Sequence, residues 1–287
     1  MSVAAELLAL FDRAAPCLGR LRVRRLHLPP PNAADSLSGE FCALELDNGA
    51  IGLSYVLLDG MLARLMTSSE AGALEGADAW SVARGYADTA AIRRTLGFAA
   101  VNALSRSLFD RARFAPSASA DSIGLLQPQP SDHIGMIGYF GRLIPRVIGT
   151  GARLTIVELR ADLAGAREDY RVTLDPGELA TCNKILSTST LLLNDTLDRM
   201  LAACTAARIF AMVGPGAGCL PDPLFARGVS LLGGTWIDDP RSFCRALVAG
   251  ESWQRHAHKC ALRREDYPGF EELLARANAD TSAAKRS

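Results

Sequence analysis

The sequence lacks every short motif by which the commonest enzyme classes are assigned. It has no G-x-G-x-x-G dinucleotide fingerprint, no Walker A loop, no G-x-S-x-G nucleophile elbow and no H-E-x-x-H zinc motif. An ordinary hydrolase, nucleoside triphosphatase or zincin is therefore not indicated. A dinucleotide is an unfavourable ligand for the same reason.

An excess of charge of either sign is also missing. The chain has 31 Lys plus Arg and 31 Asp plus Glu. This balance argues against a nucleic-acid or anionic-membrane partner, which would favour a basic face. No apolar run is long enough to cross a bilayer, and Glu6 and Asp12 interrupt the apolar start. We therefore expect neither a secretory signal nor membrane insertion.

The seven cysteines show neither a C-x-x-C pair nor the spacing of a disulfide framework. An odd, irregular set suits a reducing compartment. We therefore expect a cytoplasmic protein in which most thiols are small buried hydrophobes.

The pattern of residues 1–118 predicts a small α+β domain. A helix precedes the strand-like run LRVRRLHL, and Asn48-Gly49 separates two further apolar runs. Asn-Gly between such runs is typical of a β-hairpin, because both residues tolerate the positive φ of a tight turn. Residues 89–112 follow helical spacing.

The second half has a different organisation. Residues 119–131 are rich in Ser, Ala and Pro, which predicts a linker between domains. Strand-like and helix-like runs alternate over 132–270, so we expect an α/β domain with a mainly parallel sheet. Its helices are expected over 140–148 and 190–207, among others. Residues 271–287 are expected to form a flexible tail.

Polar and small residues follow the predicted strands of this second domain, at the edge where parallel sheets bind ligands. The glycines around Gly135 and Gly138 can present N–H groups to an anion, or only allow close strand–helix contact. Glu158 follows the second strand, where Rossmann-like domains carry an acid that receives polar ligand groups. An ion pair with Arg142 or Arg160 is the structural alternative.

A run of hydroxyl residues follows the third strand, over 187–190. Helix capping accounts for one or two of these side chains. The others, with free helix N–H groups, could hold a carboxylate or phosphate. Asn194 lies one turn further on.

Metal ligands are suggested by an alternating run, His256, His258 and Cys260, which would share one face of a strand. Imidazole and thiolate together suit zinc, copper or nickel. The H-x-H-x-C spacing is a weak signal, however, because tight sites usually have C-x-x-C or wider His spacings. His27 has the character of an ordinary strand residue. The candidate metal ligands are Glu158, His133, Cys219, His256, His258 and Cys260.

Several of these runs together resemble a family of bacterial and archaeal heavy-metal-chelating proteins of unknown function. The shared runs are GMIGYF, the VE that closes the second strand, STSTLLLNDTLDRML, the GP before PLFARGVSLLGGTWIDD, and IRRTLGFAAVNALS upstream. They cover nearly the whole chain, about residues 5–255. The resemblance implies an α+β domain like the N-terminal domain of enolases, a Rossmann-like α/β domain with a mainly parallel sheet, and a cleft between them.

The resemblance also implies which residues face this cleft. Three positions depart from the family pattern: Gly216 replaces a serine, and Ser187 and Asp195 replace glycines. A ligand that needed that hydroxyl or the extra backbone access would not be shared. With the residues above, the candidate ligand-binding set is Gly135, Gly138, Tyr139, Phe140, Glu158, Ser187, Thr188, Ser189, Thr190, Asn194, Gly214, Pro215 and Asn102.

Three functions stay open from the sequence. The first is binding of a metal, or of a small metal-containing or anionic ligand, in the cleft; the metal would be a transition or heavy metal of unknown identity. The second is an enzyme acting on a small anionic or nucleotide-like ligand, with Glu158 as anchor or general base. The third is an accessory protein that works through subunit contacts, a homo-oligomer included.

Overall fold

The computed structural model describes residues 1–31, 40–121, 123, 125–194 and 196–284. Within these ranges the chain forms a small antiparallel sheet, a large mostly parallel sheet and the helices that cover them. No helix in the described ranges is both long and apolar enough to cross a membrane.

The small sheet and the helices around it form the N-terminal domain. In the described residues its strands have the order β1-β2-β3, and both pairs are antiparallel. The hairpin predicted at Asn48-Gly49 joins the second strand to the third, with Gly49 at φ +88°. The elements are α1 (Val3–Leu18), β1 (Val23–His27), β2 (Phe41–Leu46), β3 (Ile51–Tyr55), α2 (Met61–Thr67), α3 (Ser69–Gly72), α4 (Ala79–Arg84) and α5 (Ala91–Arg111).

Helix α5 lies at the centre of the molecule. Most side chains between Thr95 and Phe109 are buried, since the helix packs on the small sheet and also bonds to the C-terminal domain. The small residues Ala99, Ala100 and Ala103 of this helix are fully buried and allow its neighbours to approach. The two domains therefore share one continuous core.

The C-terminal domain carries the large sheet. Its elements are β4 (Ser117–Ala118), β5 (His133–Ile137), α6 (Ile144–Ile148), β6 (Arg153–Val157), β7 (Gly165–Ala166), β8 (Tyr170–Thr173), β9 (Lys184–Thr188), α7 (Leu197–Ala203), β10 (Ile209–Val213), α8 (Asp222–Phe225), β11 (Leu231–Ile237), α9 (Pro240–Ala249), β12 (Ala257–Arg263) and α10 (Phe270–Ala284).

Strand order places a switch point in this sheet. Over the described residues the order is β4-β12-β11-β10-β9-β5-β6-β8-β7, and the six strands from β11 to β8 are parallel. Along the chain, the first of these parallel strands is β5. Strands β6 and β8 follow on one side of it, and β9, β10 and β11 follow on the other side. The crevice where the order reverses, between β5 and β9, is where such sheets bind ligands.

The structure differs from the sequence prediction after β9. Instead of one long helix over 190–207, a short 3₁₀ turn at Ser189–Leu192 precedes α7. The Thr188 hydroxyl accepts a hydrogen bond from Thr190 N, and Asn194 Oδ1 accepts from Thr196 N. Such local bonds offer the backbone an alternative to the helix. The predicted helix over 140–148 is likewise confined to α6, which starts just before Pro145.

The segment 271–284, predicted as part of a flexible tail, instead forms most of α10. Leu273 and Ala277 are fully buried, and α10 packs on α1 and α5. Arg13 of α1 bonds to Glu271 at 2.7 Å and its guanidinium lies 5.0 Å from the centre of the Phe270 ring. The sequence hides this helix because only a narrow stripe of it is apolar.

Candidate functional site

The loops that follow four parallel strands meet at the carboxyl edge of the large sheet. The loops after β5 and β9 touch, since a Cβ on Gly138 would lie 3.1 Å from Thr188 Cγ2. The loops after β9 and β10 touch as well: a Cβ on Gly214 would lie 2.4 Å from Ser189 Oγ. Gly138 has φ +93° and Gly214 has φ +146°, conformations that favour glycine. The glycines thus allow these loops to meet at the switch point.

Gly135 is placed differently from Gly138, the next glycine along the chain. It lies inside β5, where a Cβ would come within 2.6 Å of Ile185 Cδ1 and 2.8 Å of Leu179 Cδ2. Its role in the structure is therefore close packing under the sheet.

Glu158 follows β6, and its carboxylate is held by backbone N–H groups. Oε2 accepts from Tyr139 N at 2.9 Å, and Oε1 accepts from Leu159 N at 2.7 Å and from Arg160 N at 3.3 Å. The Arg160 guanidinium bonds instead to Asp162, at 2.6 Å. Glu158 therefore fixes the loop that carries Tyr139 and Phe140, and its carboxylate lies at the carboxyl edge of the sheet.

The N-terminal domain adds two groups that sequence reasoning missed. Burial raises the pKa of the Glu40 carboxyl, against the pull of the Arg142 charge. Burial also raises the pKa of the Tyr55 phenol, with further contributions from the negative charges of Glu40 and Glu158. Two carboxylates from different domains therefore lie near one phenol. No local spacing predicts this, because β3 and β6 belong to different sheets.

The hydroxyl run after β9 is bonded mainly to itself. Thr188 Oγ1 and Thr190 Oγ1 lie 3.0 Å apart, Ser187 and Ser189 are buried, and Ser187 Oγ donates to Thr188 O at 3.3 Å. Asn194 Oδ1 accepts from the Thr196 hydroxyl at 2.6 Å; the neighbouring Asp195 lies outside the described residues. Most of this run is thus occupied in shaping the loop.

Asn102 of α5 joins the two domains. Its Nδ2 donates to Leu53 O at 2.7 Å and to Gly216 O at 3.0 Å, which fixes the amide orientation. Asn102 is 3% exposed, and its Oδ1 has no hydrogen-bond partner in the part of the chain that the structure describes. It lines a cavity of about 40 Å³ with Pro215 and Cys219, among other residues. A buried acceptor is therefore available to a water or a ligand group.

The three predicted histidine ligands lie apart from Glu158. His133 is at the opposite end of β5 from Gly138, where Arg153 Nη2 lies 2.6 Å from Nδ1 and Thr155 Oγ1 lies 2.9 Å from Nε2. Burial and the Arg153 charge lower its pKa. His258 bonds to Asp238 at 2.8 Å, and His256 lies in a 3₁₀ turn before the strand.

The two predicted thiol ligands are buried. Burial raises the pKa of Cys219 to about 12 and that of Cys260 to about 11. Cys260 faces Gly234 on the neighbouring strand. Over the described ranges, the six predicted metal ligands supply no group of three whose ligand atoms lie within 4.8 Å of one another.

A different trio does meet that distance. The ligand atoms of His27, Glu45 and Cys244 all lie within 4.8 Å of one another, and His27 Nε2 is 2.9 Å from Glu45 Oε2. We call these three residues the His27 cluster. Cys244 is 6% exposed, and the His27 and Glu45 side chains are 11% and 15% exposed. Sequence reasoning missed the cluster because its members lie on β1, β2 and α9.

Comparison with protein families assigns the chain. The model of the DUF364 family, described as "Putative heavy-metal chelation", matches residues 121–265, just over half of the chain. The chain belongs to this family. A second model, DUF4213, carries the same description and matches residues 37–105.

Two solved DUF364 structures share the fold. A protein of unknown function from Pyrococcus horikoshii is 18% identical, with a TM-score of 0.67 over 90% of this chain and 99% of its own. A protein of unknown function from Desulfitobacterium hafniense DCB-2 is also 18% identical, with a TM-score of 0.63 over 89% and 98%. No curated protein matches the chain.

This DUF364 protein thus offers two kinds of donor set. Glu40, Tyr55 and Glu158, near the loops at the carboxyl edge, present oxygen atoms. The His27 cluster presents nitrogen, oxygen and sulfur. Carboxylate oxygens suit harder ions such as Mg²⁺ or Mn²⁺, whereas thiolate and imidazole suit Zn²⁺ and its softer neighbours.

Proposed function

We propose that this DUF364 protein binds a metal ion, or a small metal-containing or anionic ligand, in the cleft between an enolase-N-terminal-like domain and a Rossmann-like domain. The observation that carries the proposal is that the negative charges of Glu40 and Glu158, from different domains, both act on the Tyr55 phenol. Two carboxylates and a phenol supply oxygen donors of the kind that hard cations take.

The other candidates contribute support around this centre. Tyr139 and Phe140 lie on the loop that Glu158 holds, and Thr188 packs against the same loop. The Arg142 charge acts on Glu40, and a cation near the carboxylates would suit an anionic part of a metal complex. Asn102 adds a buried acceptor where the two domains join.

Titration with manganese(II) tests the proposal, because this hard ion matches the oxygen donors of the cleft. We expect one site by calorimetry, and a loss of affinity of at least about tenfold in Glu40→Gln. Glu168→Gln, at an exposed position, is the matched control and should bind as the wild type does. Unchanged binding by both Glu40→Gln and Glu158→Gln would rule out the cleft.

A second function, an enzyme on a small anionic or nucleotide-like ligand, is favoured by one specific feature. The acid Glu158 follows the second strand of a sheet whose six parallel strands have the order 3-2-1-4-5-6, the position of the ribose-binding acid in doubly wound domains. Adenosine monophosphate is the probe. At a hundredfold excess over its dissociation constant it should raise the free energy of unfolding by about 2.7 kcal/mol, and Glu158→Gln should remove this gain.

The setting in which the protein works is also a proposal. A cytoplasmic location agrees with the free state of its cysteines. Whether copies associate is measured by light scattering of the metal-free and metal-loaded protein.

A further inference from the structure

We propose that His27, Glu45 and Cys244 form a second metal site, separate from the cleft, that takes a thiophilic divalent ion such as zinc or cadmium. The proposal goes beyond the cleft function, and either can fail without the other. Glu40 and Glu45 lie five residues apart on nearly extended chain, about 16 Å. One ion therefore cannot serve both places.

The small sheet brings two of the ligands together. In the register of β1 and β2, His27 lies opposite Ala43, two residues before Glu45. Residues two apart on a strand share a face, so Glu45 is the diagonal neighbour of His27 across the pair. The 2.9 Å contact between Nε2 and Oε2 is the result.

The third ligand comes from the other domain. Helix α9 buries one side, which includes Phe243, Cys244 and Leu247, and Phe243 and Cys244 belong to the cluster of core residues formed with Phe41 and Ala43 of β2. Cys244 is thereby held over the face of the sheet that carries Glu45. Three ligands on three elements of two domains converge at one point.

The distances suit a tetrahedral ion after small movements. Zinc has ligands at about 2.0 to 2.3 Å, so its ligand atoms lie about 3.3 to 3.8 Å from each other. The His27–Glu45 contact must open by less than about 1 Å, and a sulfur within 4.8 Å of both needs a shift of similar size. The partial exposure of His27 and Glu45 leaves room for a water as fourth ligand, as in sites with three protein ligands.

Charge gives the site a reason to take a cation. Burial first, and then the nearby Glu45 carboxylate, raise the pKa of the Cys244 thiol to about 12. A divalent ion is attracted by the Glu45 carboxylate, and binding of the sulfur as thiolate releases the thiol proton to the solvent.

Arg24 contacts the His27 cluster from the solvent side, through Glu45. Its Nη1 donates to Glu45 Oε1 at 2.8 Å, while Oε2 faces His27. The arginine is half exposed, so the pair contributes little to stability. Its effect is to orient the carboxylate with one oxygen towards the cluster, as outer partners of metal ligands do.

Cobalt(II) is the probe, because a bound thiolate gives cobalt a charge-transfer absorption that nitrogen and oxygen ligands do not. We expect one equivalent of cobalt to give this absorption in the full-length protein, and zinc, but not magnesium, to displace it. Cys244→Ala should abolish the absorption and weaken zinc binding by more than about a hundredfold, beyond the loss caused by removing an outer partner. Cys204→Ala, which removes another buried thiol, should leave both unchanged.

The remaining variants separate the two sites. His27→Gln should weaken zinc binding strongly, whereas Glu40→Gln should leave the cobalt absorption as it is. Circular dichroism verifies that each variant is folded, and if Cys244→Ala does not fold, His27→Gln alone decides. A charge-transfer band that survives in Cys244→Ala or His27→Gln, or no band in the wild type, overturns the proposal. If the charge-transfer band is lost in Glu40→Gln but kept in Cys244→Ala, the second metal site is ruled out, whereas metal binding in the proposed cleft is not.

Discussion

The proposed cleft and the His27 cluster differ in how their polar groups are held. In the cleft the backbone holds them: Glu158 accepts three N–H groups, and Asn102 donates to two carbonyls. In the cluster His27 and Glu45 bond to each other. A site fixed by backbone bonds is preorganised but has few free lone pairs. A site made of side chains alone can rearrange around an ion.

The largest expected effect concerns the rigid side of this comparison. Asn102→Ala leaves the carbonyls of Leu53 and Gly216 buried without their donor, and each unsatisfied group costs about 1 to 3 kcal/mol. We expect a loss of at least about 2 kcal/mol in the free energy of unfolding, measured in urea. Asn194→Ala, which removes local loop bonds, should cost less. A stability within about 0.5 kcal/mol of the wild type for Asn102→Ala would show that the junction is not held in this way.

Gly214→Ala tests the same junction through the backbone. Ser189 Oγ could move aside, but a φ of +146° is strained for any side chain, so we expect a loss of about 1 to 3 kcal/mol. Ligand binding in the cleft should weaken too, because the loops after β9 and β10 must separate. Gly72→Ala is the control, since Gly72 is not among the positive-φ glycines and a Cβ there would meet no atom within 4 Å. Equal stability of the two variants would contradict the expectation.

His27→Leu tests the His27 cluster in metal-free protein. The variant loses the bond to Glu45, and we expect a loss of about 1 to 2 kcal/mol. Addition of zinc should widen the gap, because the wild type alone is stabilised by binding. A gap that stays the same at every zinc concentration would leave the pair as an ordinary hydrogen bond.

The smallest effect has the opposite sign. Burial raises the pKa of Glu40 in the folded state above its value in the unfolded state. Between these two pKa values the folded protein binds more protons than the unfolded chain, so its stability falls as the pH rises through this range. Glu40→Gln should therefore stabilise the metal-free protein at pH 7, and the gain should vanish below the unfolded pKa of about 4.3. Urea unfolding at pH 4 and pH 7 measures it. Destabilisation at pH 7 would mean that the charged Glu40 is well paired without a metal.

Features of the fold that depend on neighbouring residues could be predicted from the sequence. The hairpin at Asn48-Gly49 and the mainly parallel sheet are encoded by neighbours in the chain and are confirmed. That Glu158 directly follows β6 can be predicted from the sequence for the same reason. The position of Glu158 at the carboxyl edge follows from strand direction alone.

What the sequence could not predict depends on contacts between distant segments. Glu40 and Tyr55 join Glu158 only when the small sheet docks, and Cys244 joins His27 only when α9 covers that sheet. Conversely, His256, His258 and Cys260 alternate along the chain, yet the structure does not bring them together as a ligand group. Alternation gives a shared face, but convergence needs side chains that point to one spot.

The packing of α10 on α1 has a consequence for how the protein is made. Helix α1 leaves the ribosome long before α10 exists, so the face of α1 around Arg13, which bonds to Glu271, stays uncovered during most of synthesis. Contacts between such distant segments slow folding and prolong the exposure of apolar surface. The N-terminal domain is thus continuous in sequence, but its folding is complete only when α10 packs on α1.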